Sequence, residues 1–90
     1  MNRFLRLRKL RKVRRLRDQI LKTNNLGRAR TLFRKLPKLK HYSLGCYDEY
    51  YGSGRSVSIE LTGGYTYYFG GYDSYLHYIR EATNFIYNKT

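Results

Sequence analysis

Along residues 3–22, RFLRLRKLRKVRRLRDQILK, the apolar residues Phe4, Leu7, Leu10, Val13 and Leu16 recur at every third position before the spacing relaxes to Ile20. The segment lacks Gly and Pro and is rich in Leu and Arg, both good helix formers, so it predicts a helix. A straight α-helix needs about 3.6 residues per turn, so a three-residue repeat drifts about −60° per step and winds round the cylinder. Val13, Leu16 and Ile20 are left as a short docking face, while Phe4, Leu7 and Leu10 point elsewhere. Charges therefore lie on nearly every side. Like charges at i,i+4, such as Arg8–Lys12 and Arg11–Arg15, repel, and in isolation this helix should fray.

Thr23-Asn24-Asn25 is a break in which Asn can cap a second helix. Leu26, Ala29, Leu32, Phe33 and Leu36 then repeat at helical spacing until Pro37 stops the run. The far face of this second helix carries Arg28, Arg30, Arg34 and Lys35. From Tyr42 the period changes. YSLGCYDEYY, RSVSIEL and YTYYFGG read as three short strands joined by glycine turns at Gly52-Ser53-Gly54 and Thr62-Gly63-Gly64. Val57, Ile59 and Leu61 alternate with Ser56, Ser58 and Glu60. On the third strand Tyr65, Tyr67 and Phe69 oppose Thr66 and Tyr68. Asp73 or Ser74 can cap a closing helix over 74–87 whose inward stripe is Tyr75, Leu76, Ile79, Ala82 and Ile86.

The expected fold is one α+β domain over residues 1–90 in the order ααβββα. A basic helical arm (1–40) precedes a three-stranded antiparallel meander and a C-terminal helix (41–90). Ninety residues allow no more than one such core.

Charge divides along the same line. Residues 1–40 hold 16 Lys or Arg against Asp18 alone, a net of +15. Residues 41–90 hold 3 basic and 5 acidic residues, a net of −2, which together give the formal +13. Aromatics divide the other way, with Phe4 and Phe33 in the first part and the other 13 in the second. A charged half on a core-forming half points to an electrostatic binding arm, for which nucleic acid is the commonest partner.

Nine of residues 3–17 are basic, and seven of the nine are Arg. Guanidinium groups reach phosphate and guanine in bidentate fashion and stack on bases, which lysine does not do. The candidate nucleic-acid ligands are Arg3, Arg6, Arg8, Lys9, Arg11, Lys12, Arg14, Arg15 and Arg17, with Arg28, Arg30, Arg34 and Lys35 on the second helix. Eleven tyrosines suit strands and half-buried core positions. Tyr68, Tyr50 and Tyr51 are the candidates for base stacking or protein contact.

The order αβββα resembles that of double-stranded-RNA-binding domains, but the basic cluster those domains carry at the start of the last helix reads here Asp73-Ser74-Tyr75-Leu76. The βββα part resembles sheet-reading DNA-binding modules of the integrase-arm kind, yet Arg55 is the one basic residue on these strands. Element order without a residue motif establishes no family.

No catalytic residue, cofactor or metal site is expected. His41, Cys46 and His77 share no ligand spacing. Asp73 and His77 stand four apart on the last helix, where a surface hydrogen bond explains the pair without a nucleophile. Cys46, the single cysteine, reads as a small apolar filler. No stretch approaches the ~20 apolar residues of a membrane span. The drifting stripe also denies the first helix the coherent face that lipid insertion needs. With arginines interrupting every candidate leader core, a cytoplasmic location is expected, the host cytoplasm if the chain is viral.

These features predict a non-catalytic nucleic-acid-binding protein that grips phosphate with an arginine-rich helix, structured RNA being preferred to duplex DNA. No small-molecule substrate or membrane partner is expected. The alternative belongs to another class. Very small basic chains are common among phage-encoded inhibitors, including anti-CRISPR proteins, and such a chain would block the nucleic-acid channel of a host nuclease or clamp its guide-RNA complex. Its tyrosine-rich second half would then meet protein.

Overall fold

The computed structural model describes residues 3–49, 52–71 and 73–87, with side chains for 8–46, 54–71 and 73–87. Two helices, α1 (Arg3–Lys22) and α2 (Leu26–Arg34), precede three strands, β1 (Leu39–Glu49), β2 (Gly52–Leu61) and β3 (Thr66–Gly71), and a closing helix α3 (Tyr75–Tyr87). The sheet is antiparallel in the order β1-β2-β3. The ααβββα fold expected from the patterning is the one observed.

Local chemistry explains where the helices begin and end. Asn25 sits in extended backbone, and its Oδ1 accepts a hydrogen bond from the amide of Arg28 at 3.0 Å, capping α2. The Thr23 hydroxyl in turn accepts from the Asn25 amide at 3.2 Å. Past Arg34 the chain tightens: the amides of Lys35 and Leu36 donate to the carbonyls of Leu32 and Phe33. Pro37 then prevents continuation. Ser74 starts α3 by accepting from the His77 amide at 3.2 Å.

Register places the sheet's two faces. Tyr42 pairs with Ile59 and Leu44 with Val57, while Ile59 and Val57 pair with Tyr67 and Phe69. These residues share the face that meets α3, where Val57, Ile59, Ile79 and Ala82 are almost wholly buried. The opposite face carries Ser43, Ser58 and Tyr68 in one row and Gly45, Ser56 and Gly70 in the next. At Gly71, φ is 153°, and a Cβ would stand 2.6 Å from the Tyr78 hydroxyl, so only glycine lets α3 close over β3 there.

Four expectations about single elements and residues change. Gly52-Ser53-Gly54 is not a turn: it lies in β2, where Glu49 pairs with Gly52 and Tyr47 with Gly54. β1 starts three residues earlier than Tyr42, and Tyr65 lies in the β2–β3 connection, exposed, outside the strand. Cys46 is exposed on β1 instead of filling the core. The partition into a charged half and a core-forming half is also incomplete. Leu16, Ile20, Ala29, Leu32, Phe33 and Leu36 join the same buried cluster as the strand and α3 residues. From Leu16 onward the basic segment contributes its apolar residues to the core.

Candidate nucleic-acid interface

The arginines of α1 divide by what lies behind them. Leu16 and Ile20 are buried and Val13 is half-buried, so the short docking face expected from the spacing is the face that packs. At about 100° per residue, Arg8, Arg11, Arg15 and Lys22 fall within an arc of about 60° on the side turned away from it. All four are exposed, as are Lys9, Lys12 and Arg14. Among the described residues, no hydrogen bond or ion pair occupies Arg8, Arg11, Lys12, Arg14 or Arg15. Arg3 and Arg6 belong to α1 by their backbone, and their side chains lie outside the described residues.

Arg17 is different. It is half-buried, its Nη1 donates to the carbonyl of Tyr87 at 3.4 Å, and its Nε stands 4.0 Å from Asp18. Sequence reasoning grouped it with the ligands because spacing alone cannot show which arginine meets the end of α3. Its guanidinium ties α1 to that end.

On α2 and at its C-cap, Arg28, Arg30, Arg34 and Lys35 are all exposed, away from the buried Ala29, Leu32 and Phe33. Arg30, Arg34 and Lys35 line a hollow of about 340 Å³ with Gly27 and Thr31. Arg34 also borders a second hollow of about 260 Å³ with Lys40, His41 and Tyr42. The Arg30 side chain is steadied there, since its Nε donates to the Tyr42 hydroxyl at 3.4 Å. The basic surface thus continues from α2 onto the start of β1. Lys22, Lys40 and His41 were missed as candidates because they lie outside the arginine-dense runs; their exposure and the fold's return of β1 beside α2 add them. Lys40 is partly engaged, with its ammonium 3.5 Å from Glu60.

Tyr68 stands 62% exposed on the open sheet face, its ring turned along the strand over Gly70. It is presented as a stacking residue would be, but on a face whose described neighbours are small and neutral apart from Glu60, the Lys40 ammonium that reaches it, and His41. Tyr50 and Tyr51 lie outside the described residues. Most other tyrosines serve the fold: Tyr78 and Tyr87 are buried, and Tyr42, Tyr67 and Tyr75 pack against the core.

His77 Nε2 lies 3.6 Å from Asp73 and 3.4 Å from Glu81, and all three are solvent-exposed. Among the described residues no group of three or more His, Cys, Asp or Glu is arranged to hold a metal ion. None of the described helices is long and apolar enough to cross a membrane. No protein-family model matches this chain, and neither a curated protein nor a solved structure matches it.

Proposed function

We propose that this chain is a non-catalytic nucleic-acid-binding protein whose α1 and α2 present arginines to the phosphate backbone of a structured RNA. One observation carries the reading. The outward arginines of α1 are exposed without acidic partners among the described residues, whereas Arg17 donates to the Tyr87 carbonyl and Arg80 on α3 to the Thr23 carbonyl. Like charges held side by side on one helix are unfavourable without an anion. A polyanion removes that repulsion and releases counterions as it binds. Arginine in place of lysine favours groove and stacking contacts, hence RNA with loops or bulges.

The test is a titration of a fluorescent hairpin RNA across a range of salt concentrations. Contacts to six or more phosphates give a slope of log K against log salt of about −4 to −5 on single-stranded segments and steeper on the paired stem. Joint replacement of Arg8, Arg11 and Arg15 by Glu abolishes binding and leaves the far-ultraviolet circular dichroism unchanged. A slope shallower than about −2 overturns the proposal.

The inhibitor reading also has an observation behind it. Phe85 is 48% exposed, with its ring 4.5 Å from Tyr67 and 5.7 Å from Phe69, which makes an aromatic patch on the near-neutral half suited to a protein contact. Pull-down with and without nuclease separates the two: one partner protein retained after nuclease treatment favours the inhibitor.

A further inference from the structure

Beyond the buried part of its docking face, α1 runs on over the segment that joins α2 to β1. Between them lies a cleft of about 470 Å³, within the range of small-ligand sites. Its apolar walls come from Leu10 and Val13 on α1 and from Pro37 and Tyr87 opposite. Its remaining lining residues are Lys9, Arg14 and Lys38, all cationic and all exposed. The Lys38 ammonium stands 5.5 Å from the centre of the Tyr87 ring. Among the described residues, no carboxylate lines the cleft. Leu10, which the three-residue drift left off the docking face, is 43% exposed here and forms one wall.

An apolar slot edged by three cations selects a ligand with an apolar body and negative charge on either side of it. An unpaired nucleotide in a nucleic-acid chain has that make-up: a flat, uncharged base between two phosphates. A base held in a duplex cannot enter, because its faces are already stacked. We propose that this cleft receives one unpaired base of the bound nucleic acid, with the flanking phosphates on Lys9, Arg14 and Lys38. The proposal rests on the nucleic-acid reading and narrows it to targets that offer a bulged or looped nucleotide. The position of the cleft favours this occupant over an acidic peptide, since Lys9 and Arg14 belong to the helix whose outer face carries Arg8, Arg11 and Arg15.

The test uses two RNA hairpins with equal numbers of phosphates, one fully paired in its stem and one with a single bulged 2-aminopurine. Binding is followed by anisotropy and by 2-aminopurine emission. The bulged hairpin binds about 5- to 150-fold more tightly, as the stacking of one base predicts, and its emission changes on binding. Leu10→Asn and, separately, Lys38→Glu bring that preference close to one while binding of the paired hairpin by Leu10→Asn keeps its salt slope. Both positions are exposed, and a melting curve for each variant checks the fold. Equal affinity for the two hairpins overturns the base-binding cleft and leaves the nucleic-acid reading standing. A preference that survives in both variants also overturns it. Failure to bind either hairpin overturns both proposals. Leu10-dependent binding of a Glu-Tyr-Glu peptide, with no preference for the bulge, overturns the nucleotide and assigns the cleft to a protein partner.

Discussion

The guanidinium of Arg80 on α3 donates to the carbonyl of Thr23 at 2.6 Å, closing the end of α1 with a side chain 57 residues further along. The same Nη2 reaches Asn24 Oδ1 at 3.2 Å. Carbonyls at a helix C-terminus lack intrahelical donors, and a cation there also complements the helix dipole. Arg80→Met keeps the aliphatic stem and removes the donors. The expected cost is about 1.5–3 kcal/mol, as for a hydrogen bond from a charged group. Urea denaturation measures it; a loss under about 0.5 kcal/mol, the scatter of ordinary surface changes, would show that water replaces the contact at no cost.

Tyr87 gives the fold an alkaline limit. Its ring is buried, and its hydroxyl accepts from the amide of Lys38 at 3.1 Å. Burial pushes the hydroxyl above its ordinary value of 10.0, with the Lys38 hydrogen bond opposing part of that rise. The folded state therefore holds this proton more tightly than the unfolded state. The corresponding stability is fully present below pH 10 and is lost as pH rises through the folded-state value. Tyr87→Phe lacks this titration. The stability difference between wild type and Tyr87→Phe should be constant from about pH 7 to 9 and shrink above about pH 10. A difference that stays flat to about pH 11 contradicts the assignment.

Helix α1 should be ordered unevenly. None of the residues 8–12 is buried, whereas Leu16 and Ile20 are anchored in the core. Repulsion between Arg8 and Lys12 and between Arg11 and Arg15 opposes the helix where packing does not support it. Amide exchange at low salt should be fast over residues 8–12 and slow over 17–22, and hairpin RNA should slow the first group. Strong protection of residues 8–12 without RNA would mean that helix propensity and packing outweigh the charge repulsion.

Much of this architecture was legible in the sequence where one residue row answers to one environment. Ala29, Leu32, Phe33 and Leu36 face the core because a period near 3.6 leaves them no other face. Val57 and Ile59 do so by strict alternation. Gly52–Gly54 misled because glycine suits a hairpin turn and a strand end alike. Only the pairing with Tyr47–Glu49 distinguishes them. Arg17 and Arg80 were opaque for a related reason. Their acceptors, the carbonyls of Tyr87 and Thr23, lie 70 and 57 residues away along the chain, and a carbonyl leaves no mark in a sequence. The cleft at Leu10 was half visible: the drift showed that Leu10 leaves the docking face, and only the fold brings Pro37 and Tyr87 opposite it.

The division of labour among arginines within one helix yields the last prediction. Ile59 and Ile79 are almost fully buried, so truncation of either to Ala leaves a cavity and should cost about 2–4 kcal/mol, a large share of the stability of so small a domain. Arg11 and Arg15 are exposed and lack partners among the described residues. Reversing them to Glu should change stability by no more than about 0.5 kcal/mol, or raise it by relieving repulsion, while RNA affinity collapses. Arg17 lies on the same helix yet belongs with the isoleucines. Arg17→Ala removes a donor to the Tyr87 carbonyl and should lower the melting temperature, with an affinity loss no larger than one phosphate contact accounts for. Melting temperature and hairpin affinity measured on all of these variants should therefore split the basic residues of α1 into two groups. If Arg11→Glu with Arg15→Glu unfolds the protein, those side chains are structural, and the arm that grips phosphate has to be sought on α2 alone.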